Sequence, residues 1–62
     1  MTLFEATMIA EGVDQAKDEE QYVDAWQMLI DTGTCWKLQG WFGRAATALI
    51  EQGVCVPAKS SS

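Results

Sequence analysis

Histidine is missing from the 62-residue chain, proline occurs once, and lysine and arginine together number four. Without an imidazole there is no ready base to activate a cysteine or serine nucleophile, and the commonest zinc ligand is gone. The two cysteines fall short of the four N or S donors of a closed zinc site, so zinc would need a second chain. Four cations are too few for a strong phosphate footprint. No apolar run approaches the roughly 20 residues that span a bilayer. At the N-terminus, Glu5 and Glu11 interrupt what a secretory signal would keep apolar, which predicts a cytoplasmic, soluble chain. These absences lead us to expect no enzyme, no cofactor, no metal and no membrane partner.

What the chain does have is apolar content at a globular level, 48%, and a net charge of −5. A domain this short buries only about 60% of the surface its unfolded chain exposes, so self-association would help to stabilise it. The charge is unevenly placed. From Met1 to Thr34 eight acidic residues face Lys17 alone, a balance of −7. From Cys35 onward Lys37, Arg44 and Lys59 against Glu51 leave +2. Such a division either solvates a face or steers pairing with a second copy or a basic partner.

One phrase occurs twice, twenty residues apart: Leu29-Ile30-Asp31-Thr32-Gly33-Thr34-Cys35 and Leu49-Ile50-Glu51-Gln52-Gly53-Val54-Cys55. In each, an apolar pair closes a stripe and a glycine follows where left-handed backbone would end a helix. Each cysteine sits just past such a glycine. As cytosolic thiols they are expected to act as small buried hydrophobes, with a Cys35–Cys55 disulfide as the alternative.

Three helices are predicted, over about residues 3–17, 19–32 and 35–52, in an all-α three-helix bundle. Thr2 opens the first with a T-x-x-E capping box to Glu5. Ala6, Ile9, Ala10, Val13 and Ala16 share its apolar face, which carries it through Gly12. Phe4 and Met8 point elsewhere. Asp18 opens the second helix with Gln21, and Tyr22, Val23, Trp26, Leu29 and Ile30 form its apolar face, with Ala25 at the edge. Asp24, Gln27 and Asp31 take the opposite side. The third helix turns Leu38, Phe42, Ala45, Ala46 and Leu49 inward, with Trp41 and Ile50 at the margins. Gly53 and Pro57 stop it. The domain thus covers 1–57, and 58–62 form a polar, frayed tail.

The least ordinary stretch is Trp36-Lys37-Leu38-Gln39-Gly40-Trp41-Phe42-Gly43-Arg44. Two glycines inside a helix cost roughly 2 kcal/mol against alanine, which asks for a compensating contact. Trp36, Gly40, Gly43 and Thr47 line one strip of the helical wheel, apart from the core stripe. A tryptophan beside a flat strip makes a binding anchor. The expected partner-binding residues are therefore Trp36, Lys37, Gly40, Gly43, Arg44 and Thr47, meeting helix one of the same chain, a second copy, or a foreign protein. Helix two, the short turn and helix three also outline a helix-turn-helix. Its recognition helix would begin Thr34-Cys35-Trp36-Lys37, which offers few groups that read bases, and the net charge opposes DNA.

The pattern A-W-Q-x-L-I-D-T-G followed by W-K-L-Q-G-W-F-G-R-x-A-x-x-L-I-E-Q-G-x-C, Ala25 to Cys55, resembles short uncharacterised proteins of tailed bacteriophages and viral metagenomes. The L-Q-G-W-F-G-R core at Leu38 to Arg44 is its most specific part. The resemblance implies a viral accessory protein made inside an infected bacterium and carries over no activity. The expectation is a protein that binds other proteins, such as a host or defence component, and forms a homo-oligomer. A virion or assembly component is the alternative, and a nucleic-acid-binding regulator the third.

Overall fold

The computed structural model describes residues 1–58. Three α-helices and one 3₁₀ turn follow each other: α1 (Leu3–Glu11), α2 (Glu19–Asp31), the 3₁₀ turn (Thr34–Trp36) and α3 (Gly40–Glu51). No strand occurs among the described residues. The all-α three-helix architecture is therefore as expected, while the first and third helices are shorter than expected at one end each.

Both predicted N-terminal caps are present. Thr2 Oγ1 accepts from the Glu5 amide at 3.1 Å, and Asp18 Oδ1 accepts from the Gln21 amide at 2.8 Å. Each box closes differently from the reciprocal pattern: the Thr2 hydroxyl donates to Glu5 Oε1, and Gln21 Oε1 accepts from the Lys17 amide. Glu19 and Glu20 fill the first turn of α2, where the helix dipole favours negative charge.

The helix-ending glycine is used three times. Gly12, Gly33 and Gly53 all take left-handed backbone, with φ of 82°, 75° and 80°. At Gly12 and Gly53 the closure is a Schellman pair: Gly12 N–H donates to Ile9 O and Val13 N–H to Met8 O, as Gly53 does to Ile50 and Val54 to Leu49. Helix one consequently stops at Glu11 rather than running to residue 17. Val13, placed on its apolar face by periodicity, lies beyond the end and is exposed.

The helix expected from Cys35 begins instead at Gly40. After Gly33 the chain makes one tight turn, with Trp36 N–H donating to Gly33 O and Lys37 N–H to Thr34 O, and Thr34 and Thr32 join hydroxyls at 2.8 Å. Gln39 is extended (φ −60°, ψ 153°) before α3 starts. This phase break turns Leu38 outward, 36% exposed, although i, i+4 spacing had paired it with Phe42 in the core. It also moves Gly40 from the helix interior to its first residue, which lessens the cost counted against it.

The core gathers Ala6, Ile9, Ala25, Trp26, Leu29, Ile30, Cys35, Phe42, Ala46 and Cys55. α1 packs along α2, and the 3₁₀ turn touches both α2 and α3. Bulky rings fill the space toward α3: Phe42 stacks on Trp41 at 3.9 Å between centroids, and Trp26 meets them at 5.9 and 6.4 Å. Ala25, expected at the edge of the stripe, is fully buried, while Tyr22 is exposed. Gln27, expected on the solvent side, clamps the segment after α3. Its Oε1 accepts from Val56 N–H and its Nε2 donates to Val56 O, both at 2.9 Å. Ala58 packs against the core, and the rest of the expected tail, 59–62, lies outside the described residues.

Candidate docking groove

A 3₁₀ turn advances about 120° per residue, so adjacent side chains diverge sharply. Cys35 accordingly points into the core while Trp36 points out, 51% exposed. The Trp36 ring does not hang free. It rests on Gly43, where an added Cβ would meet Cε3 at 3.4 Å and Cζ3 at 3.6 Å. A side chain longer than a methyl group at 43 would lift the ring off α3, so the small residue gives the tryptophan its seat.

Beside that ring an open groove of about 490 Å³ runs along α3. Five of the six expected partner-binding residues line it: Trp36, Gly40, Gly43, Arg44 and Thr47. Lys37 is exposed but stands outside the lining. Cys35, Leu38, Gln39, Ala48 and Glu51 line it as well. Ala48 and Glu51 were legible in principle, because they continue the strip at helical spacing beyond Thr47.

Helix one does not lie in this groove, and neither glycine sits at a crossing of two helices. What meets Gly43 is the Trp36 ring, and what approaches Gly40 is Arg44 Nη1, 3.4 Å from the position of an added Cβ. α1 packs on α2 instead. The Thr47 hydroxyl donates to Gly43 O at 2.8 Å, so it brings no unsatisfied donor to the groove floor.

The thiols do not offer chemistry here. Cys35 and Cys55 are free and buried. Burial pushes the Cys35 thiol above its ordinary value, partly offset by a backbone hydrogen bond. Burial and then the charge of Asp31 push Cys55 up. Thiols held neutral in this way are poor nucleophiles and poor metal ligands. No group of three or more His, Cys, Asp or Glu among the described residues could hold a metal ion. A second, polar depression of about 310 Å³ lies by Lys17, Asp18, Glu20, Gln21 and Asp24, where helix capping accounts for Asp18. No helix among the described residues is long and apolar enough to cross a membrane.

No curated protein and no solved structure matches the chain. Residues 3–61 match the model of one family, described as Domain of unknown function (DUF7417). With all three helices, all three closing glycines and the whole groove inside the matched span, the chain belongs to the DUF7417 family.

Proposed function

We propose that the protein works by binding another protein through the groove beside Trp36, without catalysis. The observation that carries this reading is the posture of Trp36: half exposed, yet held on Gly43 at the edge of an open groove. An ordered aromatic ring loses little conformational freedom on binding and contributes a large apolar area, which is the usual character of an interface anchor. The resemblance of Ala25 to Cys55 to short phage proteins supports the narrower reading of an accessory protein made in the cytoplasm of an infected bacterium, with a host or defence protein as partner. Phage accessory proteins often act on host machinery, so the class of partner is reasoned by analogy. A nucleic-acid partner is disfavoured because, among the described residues, the cations near the groove are Lys37 and Arg44 alone, against a net charge of −5.

The test compares the whole protein with its Trp36→Ala variant as bait in host extract, after circular dichroism has shown equal helical content. Proteins retained by the first and lost by the second support the reading. Retention of the same set by both would remove Trp36 as the anchor. Stoichiometric abundance in purified virions would instead favour an assembly component.

A further inference from the structure

In the absence of a foreign partner the charges along the groove select a second copy as its occupant, and this step rests on the docking reading above. Arg44 and Glu51 both line the groove, on one face of α3 and two turns apart, about 10 Å along the axis. Among the described residues neither side chain has an ion-pair or hydrogen-bond partner, and Arg44 leans back over Gly40, away from Glu51. Midway between them Thr47 and Ala48 present short side chains.

A face with a cation at one end, an anion at the other and small residues at its centre is complementary to itself after a twofold rotation. An antiparallel copy of the same helix, crossing at Thr47 and Ala48, sets Arg44 opposite Glu51 of the second copy and Glu51 opposite its Arg44. A parallel copy would set like charges together, and a uniformly acidic or basic segment would satisfy one end and be repelled at the other. The antiparallel arrangement also brings the chain just past the partner's α3, with its exposed Val54, to the end of the groove where Trp36 stands. We propose that the groove receives α3 of a second copy of this chain, antiparallel, with two reciprocal Arg44–Glu51 ion pairs flanking a close contact at Thr47 and Ala48.

Sedimentation equilibrium of the whole protein tests this through charge reversal. Arg44→Glu and Glu51→Arg, both at exposed positions, should each weaken the dimer by about tenfold or more, since two attractions become two repulsions. An equimolar mixture of the two variants should recover a heterodimer, because one supplies carboxylates at both positions and the other guanidinium groups. Raised salt should weaken the dimer of the unmodified protein. Variants as dimeric as the unmodified protein, or a mixture that stays monomeric, would overturn the pairing. A strictly monomeric unmodified protein would overturn the second copy as occupant while leaving the docking reading to the Trp36→Ala comparison in host extract.

Discussion

Trp26 and Trp36 are ten residues apart and share a side chain, yet one is 1% exposed and the other half open. Trp26 belongs to a stripe, with Val23, Leu29 and Ile30 at helical spacing, and the rings of Trp41 and Phe42 close over it. Trp36 has no stripe, only a 3₁₀ turn that aims it outward and a glycine that seats its ring. The contrast teaches that a large apolar side chain is buried by its periodic neighbours rather than by its own hydropathy. It also shows a cost inside the core: the Trp26 indole N–H is buried with no acceptor among the described residues, a penalty of about 1–3 kcal/mol.

The contrast breaks or holds most visibly on truncation. Trp26→Ala should destabilise by about 3–5 kcal/mol, enough to unfold much of so small a domain, whereas Trp26→Phe should lose far less because it also removes the unpaired N–H. Trp36→Ala should cost less, about 1–2 kcal/mol, since half of its surface is already in water. Urea denaturation of the three variants decides the matter. Equal losses for the two alanine variants would mean that Trp36 is a core residue.

A second test bears on the backbone that separates the two regions from their surroundings. Gly12 has nothing within 4 Å of an added Cβ, so only its left-handed backbone opposes substitution. Gly12→Ala should destabilise by about 1–2 kcal/mol, the cost of that conformation for an L-residue. Were residue 12 in the middle of a longer helix, as periodicity through Ala16 predicts, the same change would stabilise by about 1 kcal/mol. The sign of the shift in the urea midpoint separates the two.

The same residues show what was legible beforehand. The whole of α2 could be read, from the Asp18 cap through Trp26 and Leu29 to Gly33, because capping chemistry and helical period agree along it. The glycine stops at 33 and 53 were legible because each follows an apolar pair and an acidic residue. Gly12 follows Ile9-Ala10-Glu11 in much the same way, but the apolar Val13 and Ala16 beyond it mimic a continuing stripe. At residues 34–39 a helical wheel fails for a different reason: the 3₁₀ turn and the extended Gln39 shift the phase, so Leu38 swings out. The groove was mostly legible because Gly40, Gly43, Arg44 and Thr47 lie within α3, where the period holds. Lys37 fell outside it because it sits in the stretch where the period is lost.

The seat of Trp36 can be sharpened by filling it slightly. At 3.4 Å from Trp36 Cε3, the methyl group of Gly43→Ala makes ordinary contact with the ring and gains helix propensity in the interior of α3. The expected outcome is stabilisation by about 0.5–1 kcal/mol. Gly40→Ala, at the first residue of α3, should do less. This reverses what a tight helix crossing at both glycines would give, which is a loss at each. A destabilised Gly43→Ala would show that the ring has no freedom to adjust, and would tie Trp36 more firmly to α3 than its exposure suggests.

The smallest effect concerns the two thiols, one in each region. Cys35 lies in the turn that carries Trp36, and Cys55 lies against α2 with Sγ 4.0 Å from the Val23 carbonyl oxygen. Burial raises both above the ordinary thiol value of 9.0, with the charge of Asp31 adding to the rise at Cys55. A raised value in the folded state means that the fold holds these protons more tightly than the unfolded chain does. Stability from this source is therefore complete below about pH 9 and falls as pH climbs from there through the folded values. Urea midpoints should be insensitive to the thiols near neutral pH and should drop more steeply in alkali for the unmodified protein than for a Cys35→Ala, Cys55→Ala double variant. Each single variant should remove part of the alkaline slope, because burial holds both thiols neutral. Identical slopes for all four proteins would mean that both thiols reach water in the folded state, and that the turn beneath Trp36 opens as readily as the groove beside it.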